Sequence, residues 1–480
     1  MQQSDFGNPK KILALILLVN AVLFGIWLAF PEKGIAIGKD VVVKVPNPKE
    51  YFKRKEKTEQ SVVVEKIKST YKNNTYSEDS VNHSDIPQEE IMVSATEKII
   101  QPNDLENAME LFYKKLESIE DGKLVRVLHF GDSQIEGDRI SGVLRDLLQN
   151  KFGGCGVGYI PLSDPGYGRK NVQRTASKNW TKYSVVRSEN TPPHNDYGFL
   201  GSYYHWVNDN KNTGATINIK ANKASNSKLQ KFEQISLMYH HQGDPVLCKL
   251  SSDTNIIHNS NLPLDSGTFQ QTWNYNGFQN KEIQFSFSGN NLTDIYGVSL
   301  DCKSGIAVDN ISLRGSSGTD FTKMNKQTLK AQISQLNVGL IIYQFGVNVV
   351  PNEVNNYDFY MRMIVSQINY LKQMAPNASI LIVGVSDMCK KEETEFVSYG
   401  NIEKIRDAQK EAARLTGCAF WDLYEVMGGK NSMAQWVEAN PSLAEKDYTH
   451  FNWRGANVVG DKLGNAILKD YYDYKELEIQ

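Results

Sequence analysis

The feature that most constrains the fold is a short apolar stretch, Leu124–Phe130, stopped by Gly131-Asp132-Ser133 and followed by a segment at helical spacing. That segment, Ser141–Phe152, carries Val143, Leu144, Leu147 and Leu148 at i, i+1, i+4 and i+5, the step of one helix face. A strand, a tight turn holding a serine, and a helix together present a side chain at the carboxyl end of the strand. The helix amino terminus lies near it, where the dipole favours negative charge. Upstream, Asp104 reads as the N-cap of a helix over Leu105–Ile119, with apolar residues at steps of four and three. Alone, Gly-Asp-Ser is a common loop tripeptide.

Its weight comes from distant companions. Asp447-Tyr448-Thr449-His450 places a carboxylate and an imidazole three residues apart, ahead of a helical stretch from about Gly455. A serine hydroxyl at neutral pH needs a base, and the base needs an orienting carboxylate. Ser133, His450 and Asp447 can fill those places if one cleft gathers them. The plainer reading of the Asp447–His450 loop is an exposed polar helix cap. Two further strands, Val308–Leu313 and Val338–Phe345, run into Arg314-Gly315-Ser316-Ser317-Gly318 and Gly346-Val347-Asn348. The Gly315 N–H, the Asn348 amide and the Ser133 N–H are suitable donors to an oxyanion. Gly318 sits close enough to Gly315 to compete, and tight turns alone would also explain these glycines.

The ordered set Gly131-Asp132-Ser133, Arg314-Gly315-Ser316-Ser317-Gly318, Gly346-Val347-Asn348 and Asp447-x-x-His450 resembles the SGNH (GDSL-type) hydrolases. The resemblance covers roughly 100–165 and 306–475. It implies a three-layer α/β/α sandwich with a parallel sheet. It also implies Ser133 as nucleophile, His450 and Asp447 as its triad partners, and Ser133, Gly315 and Asn348 as the oxyanion hole. Gln134 and Val349 depart from the family pattern at positions expected to bear on substrate choice. His129-Phe130-Gly131-Asp132-Ser133-Gln134, Phe152-Gly153-Gly154-Cys155-Gly156 and Phe420-Trp421-Asp422 with Met427-Gly428-Gly429 and Trp436 are similar to bacterial peptidoglycan O-acetylesterases of that superfamily.

Residues 166–305 read as a β-sandwich insert, carbohydrate-binding-like, that splits the hydrolase domain into 100–165 and 306–480. Short alternating runs at Ala215–Ala221, Phe232–His240, Val246–Ser251 and Glu282–Ser288 are separated by Asn, Gly, Asp and Ser. Trp180, Trp206 and Trp273 are core aromatics or sugar-stacking rings, with core the plainer reading. His240 and His241 point to opposite faces of a strand, against joint metal ligation. Of five cysteines, Cys248 and Cys302 are one candidate pair, although spacing does not settle connectivity.

Nothing charged occurs from Ile12 to Phe30. This run of about 19 residues makes roughly 28 Å of helix, against a hydrocarbon core of about 30 Å. Lys10 and Lys11 precede it, so residues 1–11 are expected in the cytoplasm, 12–30 as a single transmembrane anchor, and the rest exported. Residues 31–99 are rich in Lys, Glu, Ser and Asn and read as a polar linker. A formal net charge of −2 gives no basic field for nucleic acid. No metal-spaced histidines and no P-loop are present, so neither metal nor cofactor is expected.

The resemblance therefore implies an anchored serine esterase removing O-acyl, especially O-acetyl, groups from an envelope polysaccharide or peptidoglycan in the periplasm or at the cell surface. Alternatives are an O-acetyltransferase served by a membrane acyl donor, or a glycan-binding protein with a retired triad.

Overall fold

The computed structural model describes helix 9–29, a strand pair at 35–36 and 42–43, and most of 93–479, apart from short loops. Two compact units divide the chain, Met1–Glu59 and Gln60–Gln480. In the first, the expected anchor is helical over Pro9–Ala29, and its described side chains, which fall between Leu13 and Ile26, are exposed. Among the described residues, however, no helix is long and apolar enough to cross a membrane. The transmembrane expectation is not carried by the structure. The proposed N-cap Asp104 lies outside the described residues, and the helix there runs over Glu110–Glu117.

In the second unit, five strands form one parallel sheet in the order Gly305–Ser312, Leu124–Gly131, Val338–Gln344, Ser379–Val383 and Ala419–Trp421. Their side chains alternate between faces with the two-residue period of a strand. Leu340, Ile342, Leu381 and Val383 pack with helices Arg139–Phe152 and Trp453–Ile479 in one apolar cluster. Ile341, Tyr343, Ile380 and Ile382 pack with helices Asp358–Met374 and Ile402–Thr416 in another. Helices thus cover both faces, and the sheet's residues are apolar in continuous runs because neither face meets water.

Between Gly156 and Asp301 the strands are antiparallel. One sheet runs Asn255–Asn261, Val246–Ser252, Glu282–Gly289, Gly214–Ala221, Val172–Ala176. The other runs Thr268–Gly277, Phe232–His240, Asp294–Asp301, Ser202–Trp206, Trp180–Ser184. Both contribute to a third apolar cluster holding Trp206, Phe285, Phe287 and Leu237. Trp206 and Trp273 are buried there, as the plainer reading had it, while Trp180 is half-buried.

The strand Gly156–Ile160, within the 100–165 span assigned to the hydrolase domain, pairs antiparallel with Asp294–Asp301. That pairing sets Gly156 opposite Asp301 and so brings Cys155 to Cys302. These two form the disulfide, with Cα atoms 5.0 Å apart. The candidate pairing of Cys302 with Cys248 is corrected: Cys248 is a buried thiol inside the third cluster. Beside the disulfide, the buried Arg126 of the parallel sheet bridges Asp309 on the neighbouring strand (2.8 Å) and Asp301 on the antiparallel side (2.5 Å). Buried charges of this kind are tolerated only when paired, and here the pairing joins the two halves.

Candidate active site

Gly131 ends its strand where a Cβ would stand 2.9 Å from the Gln344 carbonyl oxygen, so the close approach of the two strands requires glycine there. Asp132 follows in a non-helical conformation, its carboxylate accepting from the Gln134 N–H at 3.0 Å. The turn then runs as a 3₁₀ stretch, Ser133–Asp138, before the α-helix starts at Arg139. Sequence spacing had begun that helix two residues later. Gly137 and Asp138 both have left-handed backbones (φ 69° and 65°), and the Asp138 carboxylate is held by Arg145 at 2.6 Å.

The Asp447–His450 loop is shaped by its own aspartate. Asp447 Oδ1 accepts from the N–H groups of Thr449 (2.9 Å) and His450 (3.0 Å), an Asx-type turn. Tyr448 takes φ 57° and stacks on Phe396, with ring centroids 3.5 Å apart. This leaves Asp447 Oδ2 facing the imidazole of the residue three places on. His450 Nδ1 lies 2.7 Å from Asp447 Oδ2, and His450 Nε2 lies 2.8 Å from Ser133 Oγ. Hydroxyl, imidazole and carboxylate, drawn from residues 317 positions apart in the chain, therefore meet in a row. Partial burial would raise the Asp447 pKa, but the hydrogen bonds from the His450 ring and from the His450 and Thr449 N–H groups hold it down to about 2. The carboxylate is ionised at neutral pH and favours the Nδ1–H tautomer, which leaves Nε2 to accept from the serine.

A cleft of about 660 Å³ opens over this row. Ser133, His450, Gly315 and Asn348 line it from the parallel half, and Trp180, Thr181, Lys182 and Arg187 from the antiparallel half. The structure separates the two competing glycines. Gly315, at φ 81°, borders the cleft, and a Cβ there would meet nothing nearer than Arg187 at 3.8 Å. Gly318 is packed on Tyr343, whose hydroxyl would lie 2.1 Å from a Cβ, and its carbonyl accepts from that hydroxyl. Asn348 Nδ2 donates to the Ser316 carbonyl at 2.9 Å, which fixes the amide plane at the cleft.

Two groups at the site exceed what sequence reasoning assigned. Gln134 does not line the cleft. Its Nε2 donates to the Thr449 carbonyl (2.7 Å) and to Ser386 Oγ (3.0 Å), and its Oε1 accepts from the Phe451 N–H (3.3 Å). The side chain thus grips the backbone on either side of His450. Val349, the other expected determinant of substrate choice, is buried in a core cluster. Both positions depart from the family pattern and were expected to bear on substrate choice, but neither side chain lines the cleft. Arg139, buried, donates to the carbonyls of Ser133 (3.0 Å), Glu136 (2.9 Å) and Phe451, tying the serine turn to the histidine loop.

Beneath the turn, His129 is fully buried, with Nε2 2.9 Å from Gln344 Oε1 and Nδ1 2.9 Å from Ser141 Oγ. Burial lowers its pKa to about 4, so it stays neutral and serves as a hydrogen-bonded strut. Burial likewise pushes Asp132 up to about 7, against the backbone N–H groups of Gln134, Gly346 and Val347.

No family model matches the chain, and no curated protein matches it. Among solved structures, a peptidoglycan O-acetylesterase superposes with a TM-score of 0.59 at 21% identity, covering 78% of this chain and 99% of that one. An acetyl xylan esterase (17% identity, 34% of this chain and 80% of that one, TM-score 0.26) and a salicylyl-acyltransferase from a tetracycline biosynthetic pathway (11%, 61% and 96%, 0.25) align too weakly for any argument. The mixed α/β fold with its parallel sheet is therefore shared with a solved acetylesterase, as the SGNH resemblance implied.

Proposed function

We propose that the chain is a serine esterase that removes O-acyl groups, acetyl foremost, from an envelope carbohydrate such as peptidoglycan. The observation that carries this reading is the contact series Ser133 Oγ–His450 Nε2–His450 Nδ1–Asp447 Oδ2, at 2.8 and 2.7 Å, on the floor of a cleft. Ser133 Oγ attacks the ester carbonyl as His450 Nε2 takes its proton. The resulting oxyanion is met by the N–H groups of Ser133 and Gly315 and by the second N–H of the Asn348 amide. As the tetrahedral adduct collapses, His450 returns the proton to the departing sugar oxygen. Water, deprotonated by the same imidazole, then attacks the acyl-serine, releasing acetate and restoring the hydroxyl. The acetyl and peptidoglycan specificity is supported by the solved O-acetylesterase that shares the fold.

The charge-free run at 12–30 supports a membrane anchor, and the Cys155–Cys302 disulfide supports an exported head, since such bonds persist in oxidising compartments. Reaction with a fluorophosphonate and peptide mapping tests the nucleophile: label is expected on Ser133. Acetate release from O-acetylated peptidoglycan by wild type but not by Ser133→Ala tests the reaction. An acetylated acceptor sugar formed in place of free acetate would redirect the assignment to a transferase.

A further inference from the structure

Three of the chain's eight histidines converge on one carboxylate, far from each other in sequence. His205 Nε2 lies 2.6 Å from Asp294 Oδ1, His194 Nε2 lies 3.3 Å from the same oxygen, and His240 Nδ1 lies 3.5 Å from Oδ2. One ligand atom from each of His194, His205 and Asp294 falls within 4.8 Å of the others. Strand pairing dictates this meeting. Asp294 opens its strand directly opposite His240, which closes the neighbouring one, and the next residue, Ile295, pairs with Tyr204 beside His205. His194 comes in from the loop before the Ser202–Trp206 strand, with its ring stacked on Tyr203 (centroids 4.5 Å apart).

We propose that His194, His205 and Asp294 form a Zn²⁺ site. Two imidazole nitrogens and a carboxylate oxygen are the donor set that zinc prefers over magnesium or calcium. An outer ring of partners is in place. The Asp196 carboxylate lies 3.3 Å from His194 Nδ1, the outer nitrogen of a would-be ligand, and can accept its proton when Nε2 turns to the ion. The other oxygen of Asp294 meets His240 Nδ1 and, at 3.4 Å, the Tyr296 hydroxyl. Such outer contacts fix imidazole tautomer and carboxylate orientation in zinc sites. His194 retains about a third of its side-chain exposure, leaving an entry for the ion and a fourth position for water. No spacing rule finds this site, because its members come from a loop and two strands; the sequence expectation of no metal rested on such rules.

The ion would brace the wall of the cleft. His205 pairs directly with Thr181 on the adjacent strand, and Thr181, Trp180 and Lys182 line the cleft over Ser133. Fixing His205 therefore fixes the strand that would face a sugar. This consequence for the cleft rests on the proposed esterase reading, whereas zinc binding itself does not.

The test is titration of the detergent-solubilised full chain, stripped with EDTA, with Zn²⁺ by calorimetry and with Co²⁺ by visible absorption. One equivalent of Zn²⁺ and a cobalt spectrum of low coordination number are expected, together with a rise in Tm on adding zinc. Asp294→Asn and the milder His194→Ala, at a part-exposed position, should each weaken binding by about tenfold to hundredfold or more. A folded melting transition in His194→Ala guards against simple unfolding. Ser133→Ala should bind zinc as wild type does, so loss of esterase function and loss of the metal site are read separately. Absence of binding at tens of micromolar Zn²⁺, or unchanged affinity in folded His194→Ala, overturns the proposal.

Discussion

The molecule holds two assemblies of carboxylate and imidazole, and they differ in nearly every physical respect. Asp447 and His450 sit three residues apart on one loop, and the Asp447 side chain is about half exposed, at 51%. Asp294 is 4% exposed and gathers His194, His205 and His240 from three separate stretches of chain. Burial should drive the Asp294 pKa up, yet hydrogen bonds from His194, His205 and His240 hold it far below the usual carboxylate range. An exposed pair can exchange protons with substrate and solvent. A buried one is committed to holding its strands together. The same chemistry is thus placed for turnover in one half and for architecture in the other.

Substitutions at the two aspartates sharpen or break that contrast. Asp447→Asn is expected to lower kcat on an acetyl ester by about 10³–10⁴-fold, the cost of losing the carboxylate that sets the imidazole tautomer. Its unfolding free energy should change by less than about 1 kcal/mol, as for other exposed pairs. Asp294→Asn should instead lower unfolding stability by about 3–5 kcal/mol, because it breaks a buried charged assembly. Equal destabilisation by the two in urea titration would erase the distinction drawn here.

The next effect concerns the joint between the halves. Cys155→Ser with Cys302→Ser should cost about 2–4 kcal/mol, read by denaturant unfolding under non-reducing conditions. Gln134→Ala should lower kcat by about 10–100-fold with little change in KM, since it loosens the backbone on both sides of His450 rather than any substrate contact. A pure KM effect would return Gln134 to the role first expected of it.

The smallest effect is a pH dependence beneath the serine turn. His129 has a folded pKa of about 4 against 6.5 unfolded, so the stability its neutral form contributes is present above pH 6.5 and is lost as pH falls through about 4. Asp132, raised from 3.8 to about 7, has the opposite slope: the advantage of its protonated form is lost as pH rises toward 7. The His129 contribution is therefore read as wild type minus His129→Gln, and it should disappear along the acid limb as pH falls from 6.5 through about 4.

Sequence made the parallel half legible because its signals are local. Strands such as Val338–Gln344 are continuous apolar runs, helices such as Ile402–Thr416 keep one period, and Ser133, Gly315 and Asn348 each stand just past a strand end. Asp447 and His450 were readable because one turn contains both. The antiparallel half was legible as strands but not as partners. Nothing in Cys155 announces Cys302, since their meeting depends on the register of Gly156 against Asp301. Gln134 was tied to substrate choice, whereas in the 3₁₀ stretch from Ser133 it turns toward the histidine loop. The Asp294 cluster was invisible for the same reason as the disulfide: register across a sheet leaves no trace in residue spacing.

The position of the disulfide has a topological consequence. It closes the neck through which the chain leaves the parallel sheet and returns 147 residues later. With its ends 5.0 Å apart, the whole antiparallel excursion is, to the rest of the fold, a hairpin bend enlarged to the size of a domain. A protease nick anywhere inside that ring leaves both fragments covalently joined, and a graft of another module between the same two cysteines would meet an attachment point already spaced to receive it.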